Sequence, residues 1–285
     1  MKVTNKYGLP QALVNAVGLT QHNKEGCYSA TTLLHGVRET LLTKRHWDEM
    51  TVDVSDSIWT IFGTAVHLIM ENQKDNTFKE ERFEIPISNS KLTGQVDCYD
   101  LENEVLIDWK TASTWKIIYQ NFDDWKKQGL IYAYLLKKNR LNVKHCKFIA
   151  MLKDHSKTKA KIDNDYPSHP VSVYEFDVTE NDLIQTAKFV QEKIIEIEEN
   201  YNKPDDELPV CTAEERWATS DKYAVMKKGR KSAVRVLDTK EDAEKLAENL
   251  GTGHYIEFRK GESKKCSDYC LCKDFCNYYK ENIGD

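Results

Sequence analysis

The sequence feature that most constrains this chain is a pair of adjoining segments, GQVDCYD at 94 to 100 and LIDWKTAS at 106 to 113. In an extended strand successive side chains alternate between the two faces, so Asp108 and Lys110 point one way while Trp109 points the other. The apolar pair Leu106 and Ile107 leads to Asp108, which puts that carboxylate where a strand leaves a core. An antiparallel partner carrying Asp97 would set a second acid alongside. Two carboxylates converging at a strand end form a hard oxygen site suited to Mg²⁺ or Mn²⁺, and a neighbouring ammonium can orient or deprotonate a metal-bound water. Taken alone, an Asp-x-Lys is as readily an ordinary solvated pair on a surface strand.

The surrounding pattern is mixed α/β. Ser29 is placed to cap a helix through Leu33, Val37 and Leu41, and a second helix runs from about Ile58 through Phe62, Val66 and Ile69, which makes the N-terminal quarter helical. Three short alternating segments follow, Phe83 to Ile87, Leu92 to Asp100 and Glu104 to Lys110, and read as an antiparallel meander. A helix over Asp123 to Lys138, strands at Lys147 to Lys153 and Val171 to Val178, and a helix from Glu180 to about Tyr201 complete the first unit. The polar, proline-containing stretch NKPDDELP at 202 to 209 marks a boundary, which divides the chain into 1–205 and 206–285. Beyond it the sequence predicts a hairpin, Tyr223 to Met226 and Ala233 to Leu237 turned at Gly229. Thr239 caps a helix from Lys240 to Leu250, Gly251 ends it, and Tyr255 to Phe258 is a further strand.

Two helices flank the acidic pair. FGTAVHLIME places His67 and Glu71 on one helix face, with Gly63 expected to admit a neighbouring backbone. WKKQGLIYAYLL places Gln128 and Tyr132 on one face of the later helix. Singly, each reads equally well as helix surface or core. The order of the whole series carries more: Gly-Thr-x-x-His, Gly-x-x-Asp, Asp-x-Lys-Thr, Gln-x-x-x-Tyr.

That series resembles the RecB-like exonuclease branch of the PD-(D/E)XK nuclease superfamily, with phage-encoded exonucleases the nearest in kind. The resemblance spans residues 28 to 135 by motif and the whole chain more loosely. It implies a restriction-endonuclease-like core, a central mixed sheet flanked by helices, with a small C-terminal αβ insert and a cysteine-stapled tail. It implies that His67, Asp97 and Asp108 hold Mg²⁺ or Mn²⁺ with help from the main-chain carbonyl of Trp109. Lys110 is then the catalytic lysine, Gln128 and Tyr132 contact DNA, and Glu71 is a more peripheral addition. The expected activity is metal-dependent, end-directed hydrolysis of DNA phosphodiesters in recombination, repair or replication, with homo-oligomers or helicase partners as associates of related nucleases. The rival readings are a DNA-binding or assembly module that keeps the fold without cutting, and a zinc-dependent adaptor.

The cysteines need their own account. Four of the eight, Cys266, Cys270, Cys272 and Cys276, fall in KKCSDYCLCKDFCNYY. With no export signal recognised at Met1, the chain is expected in the cytoplasm with its thiols reduced, and clustered thiolates then suit Zn²⁺ or an iron-sulfur cluster. In the resembled family three C-terminal cysteines join a distant fourth from the N-terminal side of the core. Here no cysteine occupies that helix, and Cys27 precedes it too closely. The expected ligands are Cys211, Cys266, Cys270 and Cys276 of a 4Fe-4S cluster, with Cys272 as substitute fourth ligand and Zn²⁺ as the alternative ion. A net charge of -5 excludes a sequence-independent coat on nucleic acid and leaves local patches. Two basic runs, Lys137 to Lys161 and Lys222 to Arg235, are either solvated faces or a DNA path. Trp115, Tyr119, Phe122 and Trp125 either stack on unpaired bases or pack in the core.

Overall fold

The structure is a computed structural model that describes residues 1–18 and 25–284. The chain separates into two compact units, Met1–Lys203 and Pro204–Asp285.

In the first unit the elements run β1 (Lys2–Thr4), α1 (Gln11–Ala16), β2 (Cys27–Ser29), α2 (Val37–Arg45), β3 (Thr51–Asp53), α3 (Ile58–Glu71), β4 (Phe78–Ile87), β5 (Ser90–Asp100), β6 (Val105–Ala112), α4 (Thr114–Ile118), α5 (Asp123–Lys138), β7 (His145–Leu152), α6 (Lys159–Ile162), β8 (Val171–Asp177) and α7 (Glu180–Asn200). Strands β4, β5 and β6 form the expected antiparallel meander. Strand β7 joins β6 in parallel and β8 joins β7 antiparallel, which makes the sheet mixed. Short β2 lies parallel to the start of β5.

The N-terminal quarter departs from its expected helical reading. Ser29 ends β2, and its hydroxyl accepts the amide of Thr32 at the head of a 3-10 turn over Thr32–Leu34, while the α-helix begins only at Val37. Gly36 lies between the two in an extended conformation, so one run of helically spaced leucines and valines is divided into two pieces. β1 and β3 add a small parallel pair that three-residue segments do not announce.

Helix α5 carries Gln128 and Tyr132 and approaches the sheet unusually closely. A Cβ on Gly94 of β5 would fall 2.7 Å from Leu135 and 2.8 Å from Tyr132, and one on Gly129 of the helix would fall 3.0 Å from Phe148 of β7. The first glycine of the Gly-x-x-Asp motif is therefore a packing requirement. α7, with a capping box of Thr179 and Asp182, packs on α5 and buries Val190, Ile194 and Ile197 completely. Gly63 of α3 meets the Thr111 side chain at the edge of ordinary contact, 3.4 Å from an added Cβ. Its neighbour is thus a hydroxyl of β6 and not the backbone that the sequence suggested. Because Thr111 alternates with Lys110, α3 and α5 flank opposite faces of β6.

The second unit comprises β9 (Lys222–Lys227), β10 (Arg235–Leu237), α8 (Lys240–Leu250), β11 (His254–Arg259), α9 (Lys264–Asp268) and α10 (Asn277–Asn282). β9 pairs antiparallel with both β10 and β11, and α8, capped by Thr239, packs on this three-stranded sheet. Gly229 and Gly251 take the positive φ that their turns demand, 85° and 78°.

Gly94→Ala should cost roughly 1–3 kcal/mol of stability, because Leu135 and Tyr132 are buried and have little room to move. Urea unfolding followed by circular dichroism measures this, and a loss below about 0.5 kcal/mol would show that α5 can lift off the sheet without cost.

Candidate metal and catalytic site

The meander ladder is interrupted at one level. β5 pairs with β6 from Asp100 to Cys98, and continuing that register would set Asp97 opposite Asp108, but the backbone pairing stops there. The amide of Trp109 instead donates to Asp97 Oδ2 at 2.8 Å. On the other edge of β5 the ladder skips the same level, since Lys79 pairs with Cys98 and Glu81 with Val96 while Glu80 is left out. Glu80 there adopts φ 53°, a left-handed conformation rare for a residue with a side chain and costing on the order of 1–3 kcal/mol. Strained residues of this kind cluster at functional sites.

His67 of α3 reaches into this gap. Its Nδ1 lies 3.4 Å from Asp97 Oδ1 and 3.8 Å from Glu80 Oε1. Ligand atoms of His67, Glu80 and Asp97 all lie within 4.8 Å of one another, a spacing one divalent ion can bridge with small movements. The hydrogen bond to Asp97 holds the His67 imidazolium above its usual pKa, with the charges of Asp97, Asp108 and Glu80 adding to it against partial burial. Burial, and next the charge of Asp97, raises the Glu80 carboxyl. Three acids thus share one poorly solvated place, and their charges favour the protonated form of His67.

Asp108 is 3% exposed, and burial pushes its carboxyl up to about 6 despite Lys110 and with help from Asp97. Lys110 Nζ stands 2.6 Å from Asp108 Oδ1, yet that oxygen has no aligned hydrogen-bond donor. The contact is an ion pair that offsets part of the cost of burying the carboxylate. Lys110 donates instead to Gln128 Oε1 at 2.8 Å, and Gln128 Nε2 approaches the Tyr132 hydroxyl at 3.5 Å. Burial raises the Tyr132 hydroxyl far above its usual range and keeps it neutral.

Of the residues expected from sequence, His67, Asp97, Asp108, Lys110, Gln128 and Tyr132 are therefore drawn to one locality. Glu71, at the exposed end of α3, stays outside the ligand group and acts on it only through its charge on Glu80. Sequence reasoning missed Glu80 and the residues behind it. Gln95 Nε2 donates to Glu80 Oε2 at 2.8 Å, and Arg82 donates to Gln95 Oε1 at 2.8 Å, which fixes the orientation of the amide. Glu80 lies in FKEERFEI among other charges, and nothing in that string marks the one acid whose backbone is turned inward.

The aromatic quartet divides. Trp125 is buried and stacks on Phe148 at 5.8 Å, Phe122 is half-buried and stacks on Tyr174 at 4.3 Å, whereas Trp115 and Tyr119 are exposed and stack on each other. In the basic run, Lys144 pairs with Glu104 and Lys147 with Glu175, so part of that charge is spent within the sheet.

In the second unit the Sγ atoms of Cys270 and Cys272 lie 3.5 Å apart, and Cys272 is buried. Arg216 draws the Cys211 segment to the tail: it donates to the carbonyl of Cys211 (2.9 Å), to Ser263 Oγ (2.6 Å) and to the Tyr278 hydroxyl (2.7 Å). Ser263 and Tyr278 flank the stretch that carries Cys266 to Cys276.

Comparisons with known proteins give the family. The family model for the PD-(D/E)XK nuclease superfamily matches residues 37–277. No match was found among curated proteins. Among solved structures, SSO0001 is 16% identical with a TM-score of 0.47, covering 64% of this chain and 83% of its own. An alkaline exonuclease from Laribacter hongkongensis is 10% identical with a TM-score of 0.38, covering 62% and 90%. A phage related exonuclease from Haemophilus somnus 129PT is 13% identical with a TM-score of 0.29, covering 57% and 71%.

The charges of the site set a pH dependence. Asp108 titrates near 6 when folded against 3.8 otherwise, so its ionisation opposes folding as pH rises through that interval and fully above it. His67, with its raised value, contributes stability that is present below its ordinary pKa and lost as pH rises through the folded one. Both make the metal-free protein less stable at pH 8 than at pH 5.5. Asp108→Asn should remove the first effect and raise stability at pH 8 in EDTA by roughly 1–3 kcal/mol, and by about half as much at pH 5, which lies inside that interval. Thermal melts at the two pH values check this, and an equal shift at both would refute it.

Proposed function

Because this chain belongs to the PD-(D/E)XK nuclease superfamily, we propose that it is a divalent-metal-dependent deoxyribonuclease that removes nucleotides from DNA ends. The observation that carries the reading is the gathering of His67, Glu80 and Asp97 beside the buried Asp108 and Lys110 pair, from four separate elements. His67, Asp97 and Asp108, joined by Glu80, would hold Mg²⁺ or Mn²⁺. The donor set of one imidazole and hard carboxylate oxygens, one of them buried without an aligned donor, fits such an ion. When bound, the ion supplies Lewis acidity at the scissile phosphate and a water of lowered pKa.

The chain's own residues do the rest. The Lys110 ammonium, held between Asp108 and Gln128, orients the attacking oxygen or meets the negative charge that builds on phosphorus. Gln128 sets the lysine in place, and Tyr132, neutral and pressed on Gly94, closes the wall behind it. Contact of Gln128 and Tyr132 with DNA belongs to this proposal, as does a role in recombination, repair or replication. In the second unit, Cys211, Cys266, Cys270 and Cys276 are proposed to hold an iron-sulfur cluster or Zn²⁺. Cys272, buried beside Cys270, is the substitute ligand. No helix is long and apolar enough to cross a membrane among the described residues.

Incubation of linear and covalently closed circular DNA with Mn²⁺, Mg²⁺ or EDTA tests the reading. Digestion of linear DNA alone, and only with a divalent ion, is expected; no cleavage of either form would leave a non-cutting module on the same fold. Lys110→Ala should lower the rate at least about a hundredfold with Mn²⁺ affinity little changed. Gln95→Leu should raise the Mn²⁺ concentration for half-maximal binding, measured by calorimetry, roughly tenfold, since Glu80 loses its orienting donor. Brown colour on anaerobic purification, with metal analysis, separates iron from zinc.

A further inference from the structure

Four large aromatic side chains lie exposed around the end of the strand that carries Asp108 and Lys110. Trp59 and Phe62 of α3 are 54% and 43% exposed, and Trp115 and Tyr119, on and just after α4, are 54% and 73% exposed. Exposed large apolar side chains gathered at one end of a strand mark contact sites.

Several fixed contacts bring the two pairs to the same end of β6. The amide of Lys153, just past β7, donates to the carbonyl of Ala112, the last residue of β6. Asp154 accepts from Ser113 Oγ at 2.6 Å and from the Thr114 amide at 2.7 Å, which pins the start of α4 to the same turn. Lys153 Nζ sits 4.4 Å from the centre of the Trp59 ring, so α3's aromatic turn is tied there too. One helical turn beyond Trp59, Gly63 meets Thr111 of β6.

The rings are arranged for stacking. Trp115 and Tyr119 lie with centroids 5.6 Å apart and planes within 19°, leaving their outer faces open. Trp59 and Phe62 meet edge to face at 6.3 Å and both remain substantially exposed, with Lys153 over one face of the Trp59 ring. The adjoining charge is positive: from Lys153 to Lys161 there are four lysines against the one acid, Asp154, whose oxygens are already taken.

We infer that this end of β6 is a base-stacking platform that receives an unpaired DNA strand on its way to the metal site. The inference deepens the nuclease reading by naming the form of substrate. Open aromatic faces bind bases of any sequence when the bases are unpaired, and neighbouring ammonium groups take the phosphates. A duplex keeps its base faces covered and gains nothing from such rings. Lysine-rich surroundings disfavour a second copy of this chain as the occupant, because the same positive patch would face itself across a twofold interface.

The test separates binding from cleavage. The full chain carrying Asp108→Asn, in EDTA, is titrated against a labelled oligothymidylate and a blunt duplex of equal length, with fluorescence anisotropy as the readout. Adding Trp115→Ala and Tyr119→Ala should weaken oligothymidylate binding about tenfold or more and change duplex binding less than about twofold. Trp59→Ala should act in the same direction, and Trp115→Phe should retain most of the affinity. Circular dichroism and unfolding midpoints verify that each variant is folded. Equal loss on both DNA forms, no loss on either, or a changed sedimentation coefficient with unchanged DNA binding would overturn the inference. The nuclease reading fails separately, by absence of cleavage in the wild-type chain.

Discussion

The carboxylate of Asp97 takes the place of a rung in a β-ladder, and the site follows from that substitution. By accepting the Trp109 amide, it satisfies a donor that strand pairing would otherwise have used, and so lets β5 and β6 part without leaving a buried N–H unpaired. Parting opens space between Asp97 and Asp108. The same level on the opposite edge of β5 is released by the left-handed turn at Glu80. A sheet that stayed fully paired there would have no room for three acids and an imidazole.

Electrostatics explains why this opening is chemically useful. Acids crowded in a poorly solvated place raise one another's pKa, and burial raises Asp108 further. In the metal-free arrangement the hydrogen bond to Asp97 favours the charged form of His67 and the Lys110 ammonium lies against Asp108, each offsetting part of the negative charge. A divalent ion would replace the proton on His67 and relieve the rest, so metal binding and deprotonation are linked.

Helix α5 gives that arrangement its rigidity. Its close seat on the sheet, possible because of Gly94 and Gly129, brings Gln128 within hydrogen-bond reach of Lys110 and buries Tyr132 over Gly94. A lysine held on one side by a carboxylate and on the other by an amide has little freedom to wander. In the second unit Arg216 does comparable work, tying the Cys211 segment to both flanks of the cysteine tail through one planar guanidinium.

Much of this was legible in the linear chain. Alternation and spacing gave the meander, α5 at its full extent and α7 to within a residue, because those signals are local and repeat along one element. Asp97, Asp108, Lys110, His67, Gln128 and Tyr132 were singled out by the order of four motifs, which resembles that of a nuclease family, and not by periodicity within any one element. Glu80, Gln95 and Arg82 were not, since their part depends on a backbone inversion and on cross-strand pairing between residues that look like any charged strand surface. Tertiary structure also decided that Trp125 belongs to the core and Phe122 is half-buried against Tyr174 while Trp115 and Tyr119 are exposed, a choice set by what packs against each ring. Sequence by itself determined which side chains recur at which period; which of them share one small volume was settled by strand register and helix seating, which bring distant residues together.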